Sequence, residues 1–184
     1  MTIGDLLRKQ ADDVFGAALG LVALVDDGAL DWKPSSGGNW MTTGQLLKHL
    51  ESACGIVAEC FVDGDWSRLA AMEAEMDTSK RDPVTGMYPA EALPTASSAA
   101  ATRTAILEDK ARTLAAIEAA GEERLANQMG AAPWNPEPRA LGYNLLECLL
   151  HVGIHRAQLF YYLKLQGKPV HTGHMWGMEG GTGA

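Results

Sequence analysis

The stretch LLHVGIHRAQ, from Leu149 to Gln158, places two histidines four residues apart in an apolar context. On a helix one turn separates His151 from His155, so their imidazoles share a face and can grip one metal ion. The same spacing also suits two unrelated core histidines. A third histidine, His49, stands in QLLKHLESA, among Leu46, Leu50 and Ala53. Packed together without a metal, such imidazoles would leave several buried nitrogens to satisfy. Three of the chain's five histidines in apolar helical stretches therefore tilt the reading toward metal.

The familiar metal templates are missing. Val152 follows His151 where a zinc-protease motif needs Glu, and Glu147 stands four residues before His151 rather than three. The cysteines show no CxxC spacing. What remains is a three-histidine site with open positions, suited to Zn²⁺, Ni²⁺ or another first-row ion. Three neutral ligands leave such an ion its full charge, enough to acidify a bound water or ionise a thiol.

Several neighbours are candidates for a role beside the ion. Gln158 lies three residues past His155, and Asn144 one heptad before His151; either can touch a metal-bound water or substrate, or be a buried amide with backbone partners. Glu147 can orient an imidazole or sit in solvent. Cys148 can supply sulfur, although a small buried hydrophobe is the expected role. Arg156 can pair with a substrate carboxylate or with a carboxylate on a neighbouring helix. Near the C-terminus, VHTGHMWG carries His171, His174 and Trp176, which could fold over the metal end; a surface or dimer contact is the preferred reading. Trp32, Trp40, Trp66 and Trp134 fall in or near loops, as packing anchors or as walls of an apolar pocket.

Four helical segments must position these groups. The first is expected over about Ile3 to Val25, with Thr2 as N-cap and an apolar stripe through Leu7, Val14, Phe15, Ala18 and Leu21. The second starts at Thr42, whose partner Gln45 three residues on makes a capping box, and runs to about Val62. The third runs from about Ala96 or Ser97 to Ala120, stopped by Gly121. The fourth begins near Arg139 and ends at Gly167, just before Pro169. Residues Asp63 to Pro94 read as loop with a possible short helix in SRLAAMEAEM, and the prolines of PWNPEP exclude a helix. No strand is expected. The fold class is thus all-α, a four-helix bundle in one domain over residues 1–178, with a flexible tail over 179–184. The connection of about thirty residues after the second helix allows an up-down-down-up order, with a second long loop after the third.

With 184 residues, 47% hydrophobic and 21% charged, the composition is that of an ordinary globular domain. A net charge of −8 and no basic run argue against nucleic acid. No apolar stretch approaches the ~18 residues of a membrane span, and the N-terminus lacks a signal-peptide pattern. Three cysteines without framework spacing fit reduced thiols in a cytoplasmic protein.

The lone His in LLKHLESA, the later HVGIHRAQLFYYLKLQGKP with its Gly-x-Pro exit, and Trp40 ahead of the second helix together resemble the DinB/YfiT-like metalloenzymes. The resemblance covers nearly the whole chain, and its specific part is the motif of the fourth helix. It implies an up-down-down-up bundle, often a homodimer, with His49, His151 and His155 binding one divalent ion at a bundle end. It also implies a small-molecule substrate, with relatives that use low-molecular-weight thiols as cosubstrates for S-transfer or isomerisation. The expected chemistry is activation of such a thiol, or of water in a hydrolase, for attack on a small electrophile. Two other classes compete. A non-catalytic dimeric bundle that binds metal would show a pocket too narrow for a ligand. An apolar binder without metal would show the three histidines far apart.

Overall fold

The computed structural model describes residues 1–74 and 76–178; the expected tail over 179–184 lies outside the described residues. The chain begins with helix α1 (Ile3–Val22), entered through the capping box of Thr2 with Asp5 and buried along Leu7, Ala11, Val14, Phe15, Ala18 and Leu21. Helix α2 (Thr43–Leu50) opens with the Thr42–Gln45 capping box that the sequence predicts. The second expected helix does not continue unbroken to Val62. It stops after Leu50, turns through residues 51–54, and resumes as α3 (Gly55–Asp63).

The break has a physical cause in α5 (Ala99–Asn127), a helix with a buried carboxyl on its packed face. The Asp109 side chain accepts hydrogen bonds from the backbone N–H groups of Cys54 (3.1 Å) and Gly55 (2.8 Å). It thus caps the new N-terminus of α3, where no side chain of α3's own N-cap residue does so. Gly55 permits the approach, because a Cβ there would stand 2.7 Å from both the Asp109 carbonyl and its carboxyl.

Short helix α4 (Ser67–Ala74) follows α3, within the stretch where the sequence allows one. The third helix departs from expectation at its end. Gly121 takes φ 66° and ψ 164°, a kink rather than a stop, and helical structure resumes to Asn127. The resumption carries Glu122, whose carboxylate accepts from the N–H groups of Ile3 (2.8 Å) and Gly4 (3.1 Å) at the start of α1.

The fold is mostly helical, in keeping with the all-α expectation, but the expectation of no strand needs correction. Strands β1 (Met129–Ala132) and β2 (Asn135–Ala140) form an antiparallel hairpin, with Gly130 opposite Arg139 and Ala132 opposite Asn135. Pro136 and Pro138 lie on β2, where a two-stranded ribbon leaves an outer edge that needs no N–H. The hairpin leads into α6 (Leu141–Leu165), which starts two residues later than expected, and the described chain ends with α7 (Thr172–Met175). Helix α1 packs on α5 and α6, α3 on α5 and α6, and α2 on α6 and α5. Phe15, Leu21, Leu46, Leu47, Ile106, Leu145, Leu149 and Leu163 are among the buried residues of the core they share. No helix among the described residues is long and apolar enough to cross a membrane.

Candidate metal centre

His49 stands in the last turn of α2, and His151 and His155 sit one turn apart at mid-length of α6. The packing of α2 on α6 brings the three rings together, with centroids 4.3 to 5.0 Å apart. His151 Nε2 lies 3.1 Å from His49 Nε2 and 3.0 Å from His155 Nε2. Among the described residues this is the group of His, Cys, Asp or Glu whose ligand atoms converge, all within 4.8 Å of one another. Nitrogens bound ~2.0–2.1 Å from one ion, at angles between octahedral and tetrahedral, lie about 2.9–3.4 Å apart. The two short separations fall in that range.

Partners on the far side of two rings decide where the lone pairs point. His151 Nδ1–H donates to the Ala53 carbonyl at 3.0 Å. This carbonyl is available because the chain leaves helical geometry between α2 and α3; the break capped by Asp109 thus builds part of the site. His155 Nδ1 meets Gln158 Oε1 at 3.1 Å. The Gln158 amide oxygen thus faces His155 Nδ1–H. One turn further on, Tyr162 donates its hydroxyl to the Met41 carbonyl (2.9 Å). Trp32 and Trp40 pack edge-on against Tyr162, with centroids at 5.4 and 6.4 Å.

With Nδ1 protonated on both rings, the Nε2 lone pairs of His151 and His155 point at each other across 3.0 Å. Two neutral acceptors at that distance repel unless a proton or a metal ion lies between them. Protonation is opposed by the surroundings. His49 is exposed as a residue, yet the loss of water around its ring, then the charges that His155 and His151 would carry, hold its pKa down to about 4. Burial, then His151, lowers that of His155, against a smaller contrary effect of Gln158. The donor set, three converging imidazoles of which two have their Nδ1 atoms engaged elsewhere, fits a divalent first-row ion.

A cavity of about 580 Å³ opens beside His49 and His151. Its walls come from α3, α4, the hairpin and α6, including Phe61, Leu69, Met72, Trp134 and Asn144. The remaining candidates are distributed as follows. Asn144 borders the cavity two turns from His151, its amide nitrogen donating to the carbonyls of Gly130 (3.0 Å) and Arg139 (3.3 Å), so it ties the hairpin to α6. Glu147 lines the cavity, but the Nδ1 atoms of His151 and His155 are already taken by Ala53 and Gln158. Cys148 is buried, and a hydrogen bond with the Cys54 thiol, then burial, pushes its thiol far above the ordinary range. Such a thiol is a poor sulfur ligand.

Arg156 is not among the residues around the cavity; its guanidinium lies over the Trp176 ring at 5.7 Å, and burial lowers its pKa. His171 and His174 cap α7: His171 Nδ1 accepts from the Gly173 N–H (3.2 Å) and His174 Nδ1 from the His171 N–H (3.3 Å). Neither joins the three-imidazole group. The sequence reading offered no role for Ala53, Asp109 or Tyr162, nor for the walls on α4. Gln158 it did single out, though for the metal side of His155 rather than the far side.

A family model described as the DinB superfamily matches residues 10–159, a span that takes in all three histidines and Gln158. No curated protein matches the chain.

Proposed function

The chain belongs to the DinB superfamily, and on that premise we propose that it is a metal-dependent enzyme in which His49, His151 and His155 hold one divalent ion, zinc or nickel. The observation that carries this reading is the convergence of three imidazole nitrogens whose outward nitrogens, on His151 and His155, already have acceptors. Bound there, the ion would lower the pKa of a water or a low-molecular-weight thiol enough to make it a nucleophile near neutral pH. The protein's own part is to fix the tautomers through Ala53 and Gln158 and to leave a cavity for a small electrophile. A metal-storing or metal-sensing bundle without catalysis needs no such cavity, and the roughly 580 Å³ beside the histidines favours the enzyme. S-transfer ranks ahead of hydrolysis on family grounds alone.

The test is metal content by mass spectrometry on protein purified without a histidine tag, beside His155→Ala. About one equivalent in the wild type and almost none in the variant is expected, and justifies screens for thiol transfer. Equal traces in both would refute the reading.

The bundle order we propose is up-down-down-up. It is supported by contacts between helix ends: the start of α1 with the end of α5 through Glu122, and the end of α1 with the start of α5 through Arg103 and the Leu19 carbonyl. Likewise Glu51 meets Thr102 early in α5 and the Val62 carbonyl meets Arg124 late in it, while Gln166 past the end of α6 meets Thr43 at the start of α2. We also propose a homodimer, formed through Tyr143, Leu146, Leu150, Ile154, Tyr161 and Leu165. These are each 44% or more exposed, and their spacing places them on one face of α6. Light scattering should report twice the chain mass for the wild type and the monomer for Leu150→Glu with Ile154→Glu; a monomeric wild type would remove this proposal. Three buried cysteines without disulfides suit the reducing cytoplasm, which is the location we propose.

A further inference from the structure

The cavity has two chemically different linings, and together they describe a ligand. His49, His151 and Ser52 make the polar one, with the Met72 sulfur 3.8 Å from the Ser52 hydroxyl; Phe61, Leu69 and Trp134 make the apolar one. Trp134, in the turn of the hairpin, is 60% exposed. It is nevertheless held in place: its ring meets Trp66 edge-on at 5.4 Å, and Trp66 meets Phe61 edge-on at 4.9 Å. An indole left open to water beside a cavity, yet already fixed by aromatic neighbours, loses little conformational freedom when something covers it. Met72, 36% exposed, borders the same opening.

The charges around the cavity are unequal. Glu73 is paired with Arg81 at 2.7 Å. Arg139 is the cation that borders the cavity, and it lies over the Tyr143 ring at 5.1 Å. Glu137 and Glu147 also border it and take part in none of the ion pairs among the described residues. Two carboxylates against one guanidinium leave the mouth acidic, which disfavours a second anion there.

Resting on the metal reading above, we propose that the cavity takes a planar aromatic ligand, neutral or cationic, that lays its ring against Trp134 and presents a polar head to the three histidines. Phe61, Leu69, Met72 and Trp134 set the specificity for the ring. The imidazoles set the place of the head, and Glu137 and Glu147 discriminate against carboxylates carried on the ring. The volume, within the ~300–1,000 Å³ of ordinary small-molecule sites, accommodates one or two fused rings with a short substituent.

Binding of acetohydroxamate, benzohydroxamate and 2-naphthohydroxamate to the zinc-loaded full chain, followed by calorimetry, tests the proposal. The matching amides, which keep the ring and lack the chelating head, are measured beside them. Affinity is expected to rise about tenfold with each increase in ring size in both series. In Trp134→Ala the rise should fall to threefold or less while metal content stays unchanged. Met72→Ala, a milder change on a different wall, should give an intermediate loss. A flat series in the wild type, or an undiminished rise in both variants, would overturn the proposal. Hydroxamates no tighter than their amides, with the ring-dependent rise intact, would instead overturn the metal reading and leave the aromatic slot standing. The charge assignment is read from 4-(aminomethyl)benzamide against 4-carboxybenzamide: the amine should bind several-fold tighter, and the reverse order would refute it.

Discussion

Asp109 offers the sharpest test of how the fold builds the site. Its carboxyl is 3% exposed and caps α3 through the N–H groups of Cys54 and Gly55. Replacing it by Ala leaves both donors buried without a partner, at ~1–3 kcal/mol each, or about 4 kcal/mol together. Burial works the other way, pushing the Asp109 pKa up from 3.8 to about 6. At neutral pH the folded protein therefore carries a carboxylate whose ionisation costs about 3 kcal/mol more than in the unfolded chain, and Ala is relieved of that cost. The two effects nearly cancel at pH 7, where Asp109→Ala should lose only about 1 kcal/mol.

Lowering the pH changes the balance in an unusual direction. Because the folded pKa lies above the unfolded one, the folded state binds a proton between pH 6 and about 4 that the unfolded state does not. Asp109's contribution to stability is therefore fully present below about pH 4 and is lost as pH rises through 6. The gap between wild type and variant should grow from about 1 kcal/mol at pH 7 toward about 4 kcal/mol at pH 4. His49 and His155, with lowered pKa values, add the opposite slope, gaining stability as pH rises through the same window. They do so in both proteins and cancel in the difference. Urea unfolding with chelator present, at several pH values from 4 to 7, measures that difference. A gap that widens toward pH 7, as for an ordinary exposed capping carboxylate, would refute the reasoning. Loss of the cap should also let the Ala53 carbonyl drift from His151, weakening metal binding about tenfold.

Other perturbations probe the same framework. Gln158→Ala should weaken metal binding about tenfold without loss of helical signal, and Gln158→Glu should restore it, since a carboxylate is the stronger acceptor for His155 Nδ1–H; titration against a zinc indicator reads both. Tyr162→Phe removes the hydroxyl that ties α6 to the Met41 carbonyl, and should cost about 1 kcal/mol in urea unfolding for the orphaned carbonyl. Gly55→Ala forces a Cβ to within 2.7 Å of α5 backbone, and should cost about 1–3 kcal/mol with a fall in thermal midpoint. Glu122→Gln keeps the oxygen for one α1 N–H but loses the charge, and should lower the urea midpoint slightly with metal binding unchanged.

The parts of this protein that could be read from its sequence are those that local rules govern. The N-cap at Thr2 and the capping box at Thr42 depend on residues within one turn, and both are found. The histidine pair of α6 follows from a single helical turn. His49 joins it only through helix packing, yet its apolar neighbours made its inward face legible. The features that escaped depend on contacts across the fold. Nothing in ESACGIV marks a helix break, because the group that ends one helix and caps the next is Asp109, more than fifty residues away. Gly55 looks like any helical glycine until α5 lies against it. Gly121 is read as a stop by local rules, but Glu122 beyond it finds the N-terminus of α1, and the chain gains by resuming the helix. PWNPEP reads as loop because its prolines exclude a helix, whereas a two-stranded ribbon has an outer edge where missing N–H groups cost nothing. The consequence is functional. The histidine pair of α6 is local and legible, and Trp134 is among the pocket walls the sequence offers, while the carbonyl that orients His151 arises from a long-range exception to local rules. In such a helical fold the proposed metal site is written in a motif, and the proposed choice of ligand in the places where the helices depart from regularity.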